Sequence, residues 1–144
     1  MMWRNKVDEE QGGKMQIKRV INIEDNVYKH IAIKRALNKC NVLFIDSANN
    51  GNDGITMIEN AITDGKPYDL LITDMHFPIH GEDNVKAGEL VIAELRERGI
   101  DIPVVVCSTH PYNIKEAVHN IFYNERSRDI DWDIKEMLEK LQSM

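Results

Sequence analysis

A chain of 144 residues, 42% apolar and 29% charged, is sized for one domain with a core of its own. Its formal net charge of −6 argues against a surface built for nucleic acid, and it has neither an apolar run long enough for a membrane helix nor one placed as a signal peptide. A cytoplasmic protein is expected, and Cys40 and Cys107, which lack metal-type spacing, read as free thiols in a reducing compartment.

Residues 1–15 are polar, with Gly12-Gly13, and read as a flexible tail ahead of a domain over 16–144. Residues 18–23 predict a first strand, ended by Glu24-Asp25-Asn26, two acids and a helix-cap type. Ile33, Ala36, Leu37 and Cys40 then fall on one helical stripe. A second short strand is expected over 41–45, turn chemistry over 49–54, and a second helix marked by Ile55, Ile58 and Ile62. Residues 69–73 are mostly branched and apolar, follow a Lys-Pro turn signal, and predict a third strand that delivers Asp74 just past its end. A long loop follows, from 75 to about 85. Ala87, Val91 and Leu95 mark a third helix, ended by Gly99. Residues 102–107 form the most strand-like run of all and hand over to Ser108-Thr109-His110. Pro111 suits the first turn of a helix, continued by Ile114, Ala117, Val118 and Ile121. A short fifth strand overlaps its end at 120–123, and Ile134, Met137, Leu138 and Leu141 give a last helix. The order is (βα)5. Continuous apolar strands alternating with helices imply a doubly wound parallel sheet with right-handed crossovers.

In such a sheet every strand ends on the same edge, where open α/β folds bind their ligands. With the first strand central, Glu24, Asp25, Asp74 and Ser108 converge there. Crowded carboxylates repel and raise one another's pKa, and a bound divalent cation relieves this. Oxygen ligands with room for water and phosphate favour Mg²⁺. A carboxylate can also act as a nucleophile toward a phosphoryl group, with a hydroxyl such as that of Ser108 donating to a phosphoryl oxygen.

The pattern Ile-Asn-Ile-Glu24-Asp25-Asn26, then Tyr68-Asp69-Leu-Leu-Ile-Thr-Asp74-Met75-x-x-Pro78, then Ile102-Pro103-Val-Val-Val-Cys-Ser108, resembles the receiver domain of two-component response regulators. The resemblance covers about 17–118, and more loosely extends to 141. It implies a flavodoxin-like sheet of strand order 2-1-3-4-5. It implies Asp74 as phosphoacceptor, with a histidine kinase or phosphotransfer protein as donor and a downstream protein partner for output. It implies Glu24, Asp25, Asp74 and the backbone carbonyl of His76 as the Mg²⁺ shell, and Ser108 as the switching hydroxyl. A signalling domain without an effector domain after its last helix is expected, rather than an enzyme.

The chain departs from the family twice. Residues 79–87 look like an insertion beside the site. The family's fifth strand ends in a Lys that pairs with the phosphoryl group; here strand length puts Asn124 in that place, and a slip of one or two residues puts Glu125 or Arg126 there. Arg126 or Lys115 is the candidate replacement for the missing charge. The alternative function is a phosphorylation-independent adaptor with a degenerate switch. A phosphatase with an Asp nucleophile fits less well, since such enzymes carry Asp-x-Asp after the first strand. Asp74-x-His76-x-x-x-His80 invites a zinc site but lacks a third ligand. His30, His110 and His119 read as surface or packing residues, and Trp132 and Met137 as packing.

Overall fold

The computed structural model describes residues 16–124 and 129–144. In chain order the elements are β1 (Arg19–Ile23), α1 (Val27–Lys39), β2 (Phe44–Ala48), α2 (Gly51–Thr63), β3 (Leu70–Thr73), β4 (Phe77–Ile79), β5 (Glu82–Asn84), α3 (Ala87–Glu97), β6 (Val104–Ser108), β7 (His119–Phe122) and α4 (Ile130–Gln142). Five strands form a parallel sheet of order β2-β1-β3-β6-β7, and β4 and β5 make a separate antiparallel hairpin. Numbered by position within the large sheet, this is the expected order 2-1-3-4-5 of a flavodoxin-like fold.

Strand alternation sorts the core into two layers. Ile21, Ile23, Leu71, Val104 and Val106 pack toward α2 and α3, together with Ile58, Val91 and Leu95. Val20, Leu70, Ile72, Val105 and Cys107 pack toward α1 and α4, against Ile33, Leu37, Ile134 and Met137. Both faces are covered, as continuous apolar strands require. A buried polar link crosses the second layer. The Asn22 amide donates to the Ile72 carbonyl at 2.8 Å, and its Oδ1 lies 2.8 Å from His30 Nδ1, fastening β1 to β3 and α1. His30 is thus a packing residue, and burial lowers its pKa, helped by Lys34.

Three expectations are corrected. The second strand runs over Phe44–Ala48, not 41–45. Asn41 adopts a left-handed φ of 65° and closes α1, with the Asn41 and Val42 N–H groups donating to the Asn38 and Leu37 carbonyls. This Schellman closure uses up the first residues of the apolar run, and Val42 plugs the core instead of entering the sheet. The edge strand therefore includes Asp46 and Ser47, which pair with Ile21 and Asn22. Part of the expected turn over 49–54 is helical, because Asn50 caps α2 by accepting from the Asp53 N–H.

The largest correction is the absence of a helix between β6 and β7. Residues 109–118 cross over as an irregular segment. A helix returning along a strand of about 16 Å would need about 11 residues before any turn is counted. Only ten residues are present. Their apolar spacing instead serves one inward side chain: Ile114 is 9% exposed and packs among the residues of the α2–α3 layer. Asn120 holds it, accepting from the Ile114 N–H at 3.0 Å and donating to its carbonyl at 3.3 Å.

The long loop after β3 is a hairpin. Pro78 pairs with Asp83 and Ile79 with Glu82, leaving His80-Gly81 as a two-residue turn with φ of 55° and 80°. Two positive φ values define a type I′ turn, whose twist matches that of a hairpin. Phe77 and Ile79 are buried and seat it against the domain.

Candidate functional site

The edge where β1, β3 and β6 end gathers acids. Glu24 and Asp74 each follow their strand by one residue, and their backbone N–H groups extend the ladder to the Ala48 and Ile23 carbonyls. One carboxylate oxygen from each of Glu24, Asp25 and Asp74 lies within 4.8 Å of the others. Glu24 is buried, Asp74 half-buried and Asp25 exposed. The Met75 N–H donates to Asp74 Oδ1 at 2.7 Å. Gly88, which opens α3, lets that helix approach closely: a Cβ there would stand 2.5 Å from the Asp74 carbonyl oxygen.

Ser108 closes β6 at the same edge. Thr73 pairs with Val106, so Asp74 stands level with Cys107 and Ser108 lies one residue further out. Its Oγ accepts from the His110 N–H at 3.2 Å. The His76 and His80 side chains go separate ways, His76 to Asp83 at 2.7 Å and His80 to Glu94 at 2.6 Å. They do not form a zinc site, and the three acids are the metal-type cluster found among the described residues.

A residue that the sequence reading passed over completes the site. Lys29, in the first turn of α1, is only 3% exposed. Its Nζ lies 2.8 Å from Glu24 Oε1 and 3.4 Å from Asp74 Oδ1, and donates to the Cys107 carbonyl at 2.6 Å. The Tyr123 ring, just past β7, stands 5.7 Å from the same nitrogen. Asn124 is the next residue along, Glu125 and Arg126 lie outside the described residues, and Lys115 is exposed on the crossover segment. The ammonium nearest Asp74 among the described residues therefore comes from α1.

Burial pushes the Glu24 carboxyl up to about 7, against the pull of Lys29 and with the charge of Asp74 adding to the rise. Burial would lower the Lys29 ammonium, but the negative groups around it outweigh burial and hold it above its ordinary value. Burial also pushes the Cys107 thiol up to about 12, so it is an inert core residue. Glu24 Oε1 is buried and has the ammonium as an ion-pair partner, yet makes no aligned hydrogen bond among the described residues. The three converging donors are all carboxylate oxygens, a set that suits a hard divalent cation, with Glu24 Oε1 shared with the Lys29 ammonium.

The chain has the architecture seen in response-regulator receiver domains. RcpA, a phosphorylated cyanobacterial phytochrome response regulator, is 22% identical with a TM-score of 0.69, over 89% of this chain and 96% of that one. The chemotaxis response regulator CheY4 of Vibrio cholerae is 12% identical with a TM-score of 0.66, over 88% and 99%. The Mn²⁺-bound form of the response regulator Rcp1 is 16% identical with a TM-score of 0.64, over 88% and 96%. No protein-family model and no curated protein matches the sequence.

Proposed function

We propose that this chain is a receiver that accepts a phosphoryl group on Asp74 from a histidine kinase or phosphotransfer protein and signals through protein contacts. The observation that carries the reading is the meeting of Glu24, Asp25 and Asp74, from the ends of two adjacent strands, on a receiver fold. Asp74 Oδ1 is held by the Met75 N–H and faces Lys29. An oxygen of the Asp74 carboxylate is the nucleophile. It attacks the phosphorus of the phosphohistidine, and the donor's imidazole leaves. Ser108 is the proposed donor to a phosphoryl oxygen: its Oγ accepts from the His110 N–H and keeps its own O–H to donate.

Mg²⁺ fits the donor set, with Glu24, Asp25, Asp74 and the His76 carbonyl as the residues that would hold it. When bound it supplies positive charge against the phosphoryl oxygens. Among the described residues no helix is long and apolar enough to cross a membrane.

The test is to incubate the protein with Mg²⁺ and acetyl phosphate and weigh it intact. Wild type should gain one phosphoryl mass, and Asp74→Asn should gain none. A wild-type chain that stays unmodified would point to the second reading, a phosphorylation-independent adaptor. That reading draws on Lys29, which already balances the pocket acids.

A further inference from the structure

We infer that Lys29 is the phosphoryl-binding cation of this receiver, carried on helix α1 instead of on the last strand of the sheet. The inference rests on the reading of Asp74 as phosphoacceptor and names the residue that answers its charge.

Three observations place the ammonium. Its nitrogen is 3.4 Å from Asp74 Oδ1, so a phosphoryl group on this carboxylate would bring oxygens within ion-pair range. It is fixed from the far side by the Cys107 carbonyl at 2.6 Å, beside Ser108. It also lies on the β6–β7 side of Asp74, beneath the Tyr123 ring, whereas Asp25 belongs to the turn after β1. Lys29 contacts Glu24 and Asp74, so a metal held with Asp25 would share those two carboxylates with the ammonium.

The backbone is as well determined as the side chain. The Lys29 N–H donates to the Asn26 cap oxygen at 3.0 Å, and Ile33, one turn on, is fully buried. A lysine in the first helical turn faces the positive end of the helix dipole, an unfavourable setting. The acids and the carbonyl around it offset that. A purely structural ion pair would also satisfy Glu24, so the experiment must read the phosphoryl group and not stability alone.

Beryllofluoride, a phosphoryl mimic that binds an aspartate oxygen, is the probe, titrated with Mg²⁺ and followed by ¹⁹F NMR on the full chain. Lys29→Gln removes the charge but keeps a donor for the Cys107 carbonyl. Its beryllofluoride affinity should fall at least about 10-fold, the loss of one charge-assisted hydrogen bond. Lys29→Gln/Tyr123→Lys returns an ammonium from the opposite wall and should regain most of that loss. Affinity within twofold of wild type in Lys29→Gln overturns the inference. If this variant does not fold, the ¹H–¹⁵N signal of the Lys29 ammonium in wild type decides: a shift on beryllofluoride binding supports the inference, and an unmoved signal overturns it. Wild type that neither binds beryllofluoride nor gains a phosphoryl mass removes the phosphoacceptor reading, and the inference with it.

Discussion

Replacing Lys29 by methionine, which keeps the stem and removes the charge, probes what holds the acidic pocket together. Both members of the Lys29–Glu24 pair have nearly buried side chains, 4% and 1% exposed, 2.8 Å apart. Removing one partner of a buried pair leaves an uncompensated charge and costs about 3–5 kcal/mol. Because Glu24 can escape by taking up a proton, we expect the lower end, about 3 kcal/mol at pH 8, or roughly a 10 °C fall in Tm for a domain of this size. The pH dependence fixes the cause. In wild type the folded Glu24 binds its proton as pH falls through about 7, while the unfolded chain does so near 4.5. A carboxyl raised on folding contributes stability that is present at low pH and lost as pH rises through the folded value. Without Lys29 the folded value rises further, so acidification restores more stability to the variant than to wild type. The gap should narrow at pH 5.5 to about 1.5 kcal/mol, that of the hydrogen bond to the Cys107 carbonyl. Urea denaturation at both pH values, with EDTA present, measures this. A gap that is constant or larger at pH 5.5 would refute the argument.

Asp25 is exposed and its carboxylate makes no ion pair among the described residues, so Asp25→Asn should leave the metal-free Tm within about 1 °C of wild type. In wild type, Mg²⁺ at 100 times its Kd should add about 2.7 kcal/mol of stability, and Asp25→Asn should need several-fold more Mg²⁺ for the same gain by differential scanning fluorimetry. Gly88→Ala forces a Cβ to 2.5 Å from the Asp74 carbonyl oxygen and 2.9 Å from Met75 Sδ. It should cost about 1–3 kcal/mol in urea and slow phosphorylation, because the clash falls on the backbone of the proposed phosphoacceptor. Ile114→Ala leaves a cavity where that side chain packs into the α2–α3 layer and should cost about 2–4 kcal/mol by the same measurement.

Asp74, Glu24 and Ser108 were legible because each ends an apolar run, and a parallel sheet sends all such ends to one edge. The hairpin was visible only as extra length. His80-Gly81 is not a common hairpin pair, and its turn type rests on the histidine adopting φ of 55°. The helix expected from Pro111 failed because local spacing carried the reading. Ile114, Ala117 and Ile121 have helical spacing, but Ile114 is a loop plug and Ile121 belongs to β7. Counting residues against the length of β6 was the constraint that could have excluded it. Lys29 was missed for the opposite reason, since its signal was present. The stripe of Ile33, Ala36, Leu37 and Cys40, extended back by one turn, lands on position 29. A lysine on the buried face of a helix, four residues after an acid pair, needs a buried partner.

The short crossover and the lysine on α1 bear on each other. Strand β7 has four residues, lies at the edge of the sheet and among the described residues pairs only with β6. A charge carried at its end would depend on that one ladder for its position. Helix α1 offers a firmer mount: its stripe is buried under the sheet, its N-terminus is capped by Asn26, and its packing against α4 adds a second wall. The receiver family ties the phosphoryl group to the last strand by a lysine; on the reading proposed for this chain, the tie would run from Asp74 through Lys29 to the Cys107 carbonyl and so to β6. Any rearrangement that follows phosphorylation would then begin at Ser108 and the ten-residue crossover it opens, a segment held chiefly by Ile114 and the paired Asn120 hydrogen bonds. A segment with so few buried contacts opens at lower free energy than the core, which is the property a switch element needs.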